Sequence, residues 1–166
     1  MRRIKTFPIA CSGKSSLLVA GLLAVACTAQ LAKAATAPAD PCSLLSATQV
    51  SSAMGKTYGA PQKSVAPRPY ANSVQGTDCN YSPQGTGDGL LFRIYFDPSP
   101  AAATDLFAKL KMFYSPPTPV PGLGDEAYFD PRHGIHVRKG NVRFFISAGD
   151  AEKPLTSLAT QVAGQL

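Results

Sequence analysis

The sequence predicts an α+β fold, a single domain in which an antiparallel sheet of about five strands carries helices mainly on one face. One observation is the segment 120–148, where three short apolar runs alternate like strands and are separated by turns. The other is the order of elements, which is helix, two strands, helix, three strands, helix. That order lacks the strict strand–helix alternation of parallel α/β folds. We therefore expect residues 42–166 to form one α+β domain.

The N-terminal segment has the composition of an export signal. Residues 1–5 are basic, residues 17–26 form an uncharged apolar run too short to span a membrane, and residues 32–34 offer an A-x-A cleavage site. We expect residues 1–34 to be a signal peptide, residues 35–41 a disordered leader, and the mature protein to be periplasmic or secreted.

Two alternatives for this segment stay open. Residues 24–27 resemble a bacterial lipobox ending at Cys27, with alanine in place of the usual leucine three residues before the cysteine. Lipidation at Cys27 would leave the protein anchored to the membrane. The other alternative is that the apolar run is retained as an anchor helix.

Net charge gives no indication of a nucleic-acid partner. Five of the 16 basic residues precede residue 35, whereas all 10 acidic residues follow it. The mature chain thus carries 11 basic and 10 acidic residues, and the whole-chain charge of +6 comes mainly from the signal. We expect no nucleic-acid binding.

Two cysteines, Cys42 and Cys79, lie beyond the signal and outside any C-x-x-C motif. A lone pair in an oxidising compartment favours a structural disulfide over a metal or redox site.

The first half of the mature chain predicts a helix and a hairpin. Ser46 and Gln49 are spaced for a capping box, and Gly55 is a natural helix end. Residues 56–76 are polar and proline-containing, so we expect a loop there, with a short strand at 57–58 as an option. Residues 77–82 and 90–96 alternate as strands joined by the glycine-rich loop 83–89.

The second half predicts a helix, a meander and a final helix. Ser99 and Pro100 begin the helix, whose apolar stripe is formed by Leu106, Phe107, Leu110 and Phe113. The proline-rich segment 114–121 leads into the three-stranded meander. A last amphipathic helix is expected over residues 154–165.

Several segments together resemble a group of small bacterial exported proteins and lipoproteins of unknown function. They are DPCSLL at 40–45, CNY at 79–81, GLGDEA at 122–127 and VRKGN at 137–141. The resemblance implies a paired-cysteine bridge and a location outside the cytoplasm, and it assigns no catalytic residue. Extracellular sensor domains of some bacterial kinases look distantly similar.

Catalytic and metal sites find little support in the sequence. His133 and His136 are three residues apart, so on a strand they point to opposite faces and cannot easily share a metal ion. Asp125 and Glu126 diverge for the same reason, which argues against paired carboxylates. No G-x-S-x-G motif occurs, and the glycine-rich loop 85–89 lacks the lysine of a phosphate cradle. We expect no catalytic residues, no metal and no cofactor.

The strongest candidate site is the sheet face opposite the apolar alternation, which we expect to be exposed to solvent. Arginine and aromatic side chains together are typical of recognition surfaces. Six residues occupy that face: Arg93, Tyr95, His136, Arg138, Arg143 and Phe145. The alternative is a solvated face without a ligand.

The sequence therefore predicts an exported, non-enzymatic binding or sensing module of the cell envelope. Its partner would be an envelope protein or a small ligand, and it would touch a membrane only through a lipid anchor. The alternatives are a periplasmic inhibitor or immunity-type protein presenting the loop 83–89, and, less well supported, a small hydrolase. A concave pocket with a histidine beside an acid would favour the hydrolase, a protruding loop the inhibitor, and a broad arginine- and tyrosine-lined face the binding module.

Overall fold

A computed structural model describes residues 35–149 and 151–166 of the chain. The predictions of a signal peptide over 1–34 and of lipidation at Cys27 lie outside these residues. The described part contains a short 3-10 helix, three α-helices and seven strands. The 3-10 helix is Pro41–Leu44, and the α-helices are α1 Ala47–Met54, α2 Pro100–Phe113 and α3 Glu152–Gly164. The strands are β1 Gln62–Ala66, β2 Gly76–Tyr81, β3 Leu90–Phe96, β4 Thr118–Pro119, β5 Glu126–Phe129, β6 Ile135–Lys139 and β7 Val142–Ser147.

All seven strands join one antiparallel sheet in the order β1-β2-β3-β7-β6-β5-β4. The hairpin β2–β3 and the meander β5–β6–β7 are the strands that the alternating pattern predicts. They meet where β3 pairs with β7, with Phe92 opposite Ile146 and Arg93 opposite Phe145. The α+β class and the antiparallel sheet are confirmed, whereas the expected number of about five strands is wrong.

The two additional strands lie in segments that sequence patterning assigns to loops. β1 lies at one edge of the sheet, and four of its five residues are exposed, so it shows no apolar alternation. β4 is a two-residue strand at the other edge, inside the proline-rich crossover. Residues 57–58 form no strand, and Tyr58 makes only an isolated bridge to Pro83. Edge strands need only one paired side, so polar residues are tolerated there.

One face of the sheet carries the main hydrophobic core. Phe92, Phe144 and Ile135 are buried on this face against apolar residues of α1 and α3. Helix α1 begins at the predicted capping box, where the Gln49 N–H donates to Ser46 Oγ and the Ser46 N–H donates to Gln49 Oε1. The core thus lies between this face and two helices.

The remaining α-helix, α2, packs on the other face of the sheet. Its side chains Ala103, Leu106 and Phe107 are buried, and the Phe107 ring meets the Tyr128 ring edge-on at 5.2 Å. Helix α2 lies across β6 and β7. The helices therefore cover both faces of the sheet, two on one side and one on the other.

The predicted disulfide is present between Cys42 and Cys79, whose Cα atoms are 5.6 Å apart. It ties the 3-10 helix to β2, and the Tyr81 hydroxyl donates to the Leu45 carbonyl beside it. The cysteines are separated by 37 positions, and closing a loop of that length stabilises the fold by about 4 kcal/mol in the chain-entropy account.

The leader segment makes defined contacts at its start. The Ala35 N–H donates to Asn141 Oδ1 at 2.7 Å, and Asn141 Nδ2 donates to the Ala35 carbonyl at 3.0 Å. Across residues 35–149 and 151–166, no helix has the length and apolar character needed to cross a membrane.

Candidate functional site

The face covered by α2 is built from two rows of side chains that run across the strands. In an antiparallel sheet, residues directly opposite each other lie on the same face. The first row crosses five strands from β2 to β5: Asp78, Arg93, Phe145, His136 and Tyr128. The second row crosses four strands from β3 to β5: Tyr95, Arg143, Arg138 and Glu126. All six residues of the predicted binding face belong to these rows.

The expectation that this face is exposed to solvent is wrong. The exposed fraction is 6% for Tyr95, 7% for His136 and 2% for Arg143, while Arg93, Arg138 and Phe145 are half-buried. The alternating pattern of a strand shows which residues share a sheet face, but it does not show whether a helix covers that face. Here helix α2 covers part of the sheet face. The arginines of that face form ion pairs with carboxylates, and its aromatic rings are packed.

Between the C-terminal half of α2 and the sheet, a cleft of about 290 Å³ remains open to solvent. Its floor is the sheet face, and one wall is the final turn of α2. The other wall is the segment that follows β1, held where the Tyr95 hydroxyl donates to the Pro67 carbonyl at 2.8 Å. Ten residues line it: Pro67, Pro69, Tyr70, Arg93, Tyr95, Leu110, Phe113, Tyr114, His136 and Phe145.

His136 occupies the floor among three aromatic rings. The Tyr128 ring stacks on the imidazole at 4.8 Å and an interplanar angle of 11°. The Phe145 and Tyr114 rings lie at 4.5 Å and 5.0 Å, tilted by about 40°. This packing holds the imidazole in one orientation.

Asp130 fixes the imidazole from its edge. Its Oδ2 lies 3.0 Å from His136 Nε2, and its Oδ1 accepts from the backbone N–H groups of Arg132 and Gly134. Burial acts to raise the pKa of Asp130, but the hydrogen bonds from His136 and the two backbone groups outweigh it, and the pKa lies below its ordinary value. The ionised carboxylate only accepts hydrogen bonds, so Nε2 carries the proton. Nδ1 makes no hydrogen bond with another described residue.

Arg93 is the cation of the cleft lining, and Asp78 neutralises it. Its Nε and Nη2 donate to the two carboxylate oxygens at 2.6 Å and 2.8 Å. The hydrogen bond to Asp78 raises the pKa of Arg93 above its ordinary value, so the guanidinium is charged throughout the physiological range. The third guanidinium nitrogen, Nη1, makes no hydrogen bond to Asp78.

Two predicted residues, Arg143 and Arg138, lie on the same face but outside the cleft lining. Arg143 makes two hydrogen bonds to Asp97, at 2.5 Å and 3.0 Å, and its guanidinium lies 4.9 Å from the Tyr95 ring centroid. Arg138 donates to Asp125 at 2.8 Å. The structure therefore brings Arg93, Tyr95, His136 and Phe145 together at the cleft and gives the other two arginines structural partners.

Two glycines make room for the rings of the floor. A Cβ at Gly134 would lie 2.3 Å from the Phe145 ring, and a Cβ at Gly76 would lie 2.6 Å from the Tyr95 ring. Any other residue at these positions would push the rings out of place. The spacing of these glycines in the sequence gives no hint of this role.

Sequence reasoning missed the walls of the cleft. Pro67, Pro69 and Tyr70 lie in a segment that reads as polar loop, and Tyr114 begins the proline-rich crossover. A usable signal was present, since each segment places a tyrosine beside prolines, a combination that favours rigid apolar surface. Which surface these segments face depends on the tertiary structure.

The other candidate residues do not enter the cleft. His133 Nδ1 lies 2.8 Å from Glu152 on α3, while His136 pairs with Asp130, so the two histidines have different partners. Asp125 binds Arg138, and Glu126 binds Lys111 at 2.8 Å. In the described ranges, no group of three His, Cys, Asp or Glu side chains could hold a metal ion.

The loop 83–89 is exposed from residue 84 to residue 89. Its ends are fixed, because the Gln84 N–H donates to the Thr57 carbonyl and the Tyr58 hydroxyl donates to the Asp88 carbonyl. The loop is therefore exposed at the end of the β2–β3 hairpin, with both of its ends held by hydrogen bonds.

Comparison of the chain with protein-family models, with curated proteins and with solved structures found no match.

Proposed function

We propose that this protein is a non-catalytic binding or sensing module of the cell envelope, and that its cleft takes a small, ring-bearing apolar ligand. The composition of the cleft lining supports this role. Five aromatic side chains and one imidazole line a cleft that also contains Leu110 and two prolines. Ligand pockets are typically apolar and aromatic, with a few placed polar groups.

The observation that carries the proposal is Phe113 at the mouth of this cleft. Phe113 is 78% exposed, whereas Leu106 and Phe107 of the same α2 stripe are buried and Leu110 is half-buried. The exposed Phe113 ring lies beside an open aromatic cleft and is placed to close over a bound ligand. Burying it on binding would add roughly 1.5–3 kcal/mol of hydrophobic free energy.

The proposed location rests on the predicted export signal and on the Cys42–Cys79 disulfide, which is typical of proteins outside the cytoplasm. A short exported module with a ligand cleft fits a binding or sensing role better than a structural one.

The experiment uses 1-naphthaleneacetamide, a neutral two-ring probe, titrated into the purified protein and followed by the probe's fluorescence. Phe113→Ala should weaken binding by on the order of 1–2 kcal/mol, as for interface anchors. The matched control is Met112→Ala, since Met112 is 73% exposed on the same turn but does not line the cleft. Equal effects of the two substitutions, or no binding to the native protein, would contradict the proposal.

A second candidate, a hydrolase, is favoured by one observation, the hydrogen-bonded His136–Asp130 pair in a concave cleft. His136 Nδ1 would take a proton from water as the water oxygen bonds to an ester carbonyl carbon, and it would return that proton to the alcohol oxygen as the acyl C–O bond breaks. This candidate ranks second because the cleft lining, as far as the structure describes the chain, offers no Ser, Thr or Cys nucleophile. Turnover of p-nitrophenyl phenylacetate that is lost in His136→Gln would favour the hydrolase.

A further inference from the structure

One ring nitrogen of His136 has no partner at the floor of the cleft. His136 lines the cleft, is 7% exposed, and has its Nε2 held 3.0 Å from Asp130 Oδ2. The ionised carboxylate accepts the Nε2 proton, so Nδ1 keeps a lone pair that can accept a hydrogen bond. The cleft therefore contains one acceptor that its own residues leave unused.

This nitrogen can be reached through the cleft. In the part of the chain that the structure describes, three side-chain atoms are buried and have no hydrogen-bond partner: Tyr128 Oη, Arg138 Nε and Arg143 Nη1. His136 Nδ1 also has no partner but is not among these buried atoms, so solvent reaches it. Asp130 closes the Nε2 edge of the imidazole, and the Tyr128 ring covers one of its faces. The approach that remains is the cleft that His136 lines.

A purely apolar ring packed over this nitrogen would bind less well. The Phe145 and Tyr114 rings lie 4.5 Å and 5.0 Å from the imidazole, so a ligand ring packed against them would exclude water from Nδ1. An acceptor that loses water and gains no donor costs affinity. An O–H or N–H group on the ligand would replace the hydrogen bond that water can make.

The lining favours a neutral donor over a charged group. None of the ten lining residues, all within the described ranges, is Asp or Glu, and their guanidinium, that of Arg93, is held by Asp78. The rings would attract an ammonium, but it would bring three donors and a charge that no carboxylate of the lining could pair. A carboxylate ligand has no donor for Nδ1. A hydroxyl needs only the one acceptor that Nδ1 supplies.

Cleft size limits the apolar part of the ligand. At about 290 Å³, the cleft lies at the lower end of the range of roughly 300–1,000 Å³ found for ligand pockets. One or two fused rings with a short substituent fit this space, whereas a long chain or several sugar units would extend beyond it.

We infer that the ligand is a small phenol, a ring system of one or two rings whose hydroxyl donates to His136 Nδ1 while the ring packs against Phe145 and Tyr114. This inference rests on the proposed binding role of the cleft and specifies the ligand class. The ring supplies affinity through burial, and the hydroxyl supplies orientation and selectivity.

The experiment compares 1-naphthol with 1-methoxynaphthalene, which has the same ring and oxygen but no O–H group. Both are titrated by fluorescence into the native protein and into His136→Phe, which keeps a ring and removes the acceptor. The affinity ratio of naphthol to methoxynaphthalene should be about three- to tenfold higher in the native protein, as expected for one hydrogen bond. Taking the ratio cancels any difference in hydrophobicity between the probes.

The matched control is His133→Phe, which makes the same change at a histidine that interacts with Glu152 and does not line the cleft. The affinity ratio should equal that of the native protein. An unchanged ratio in folded His136→Phe would overturn the inference. Tighter binding of 1-naphthylmethylammonium than of 1-naphthol would also overturn it, in favour of a cationic ligand.

A measurement on the native protein does not depend on the folding of His136→Phe, which removes a partner of Asp130. In nitrogen-15-labelled protein, saturation with 1-naphthol should move the His136 Nδ1 resonance to lower frequency, because a phenol is a stronger donor than water. Saturation with 1-methoxynaphthalene should not. A resonance that naphthol leaves in place would overturn the inference, and the proposed function would stand if 1-naphthaleneacetamide still binds. Binding of none of these probes would overturn both.

Discussion

At the scale of single residues, Asp130 organises the floor of the cleft. Its carboxylate accepts two backbone N–H groups from the turn between β5 and β6 and the Nε2 proton of His136. The sequence predicts a turn at Asp130-Pro131, and it predicts that His136 lies on the sheet face. The sequence does not predict the hydrogen bond between Asp130 and His136, because the carboxylate of a turn residue is just as often exposed to solvent as it is bound to a neighbouring side chain.

This arrangement makes stability depend on pH through Asp130. Because the folded-state pKa is lowered, the carboxylate contributes stability that is fully present above its unfolded pKa of about 3.9 and is lost as the pH falls through the lower folded value. Asp130→Asn should cost about 1–3 kcal/mol at pH 7. The difference from the native protein should shrink as the pH falls below about 3.9.

Urea unfolding between neutral and acidic pH measures this difference. The control is Asp105→Asn, at an exposed position on α2, which should follow the native curve at every pH. A difference between Asp130→Asn and the native protein that persists unchanged at the lowest pH would contradict the assigned role of the charge.

At the scale of elements, the capping signals and the alternating strands are predictable from sequence. Ser99 caps α2 and the capping box starts α1, as their spacing predicts. Strand β1 was missed because its exposed residues carry no apolar pattern. The position of α2 was also missed, since its apolar stripe shows that it packs against something but not on which sheet face.

Alanine substitutions of Phe107 and Phe113, the two phenylalanines of the α2 apolar stripe, test where α2 lies. Phe107 is 1% exposed against Tyr128, so Phe107→Ala should cost about 3–5 kcal/mol of unfolding free energy. Phe113 projects into solvent at the cleft mouth, so Phe113→Ala should change stability by about 0.5 kcal/mol or less. Thermal or urea unfolding checks both, and equal losses would show that the helix does not cover the sheet as described.

At the scale of the whole molecule, the cleft joins segments that are far apart in the sequence. One wall comes from residues 67–70, the other from the end of α2, and the floor from β3, β6 and β7. Four of the six residues predicted for the binding face meet there, because residues opposite one another in a sheet share a face. The sequence signals apolar surface in both walls, through the tyrosine–proline segments and the apolar stripe of α2, but it does not show which sheet face either wall covers.

The disulfide shows what the sequence does determine at this scale. Two cysteines remain after the predicted signal. Their pairing follows from the number of cysteines and from the oxidising compartment that an export signal implies, and the structure confirms the bond. A stabilisation of about 4 kcal/mol is a large share of a typical domain stability of roughly 5–15 kcal/mol.

The most direct test of the cleft as the binding site is the position of bound 1-naphthaleneacetamide, measured by intermolecular NOEs to assigned side chains. We expect NOEs from the naphthalene protons to the rings of Tyr95, Phe145 and Tyr114. NOEs to the loop 83–89, or to the shallow groove that Ser52 of α1 and Ser157 of α3 line, in place of these rings would contradict the assignment of the cleft as the binding site.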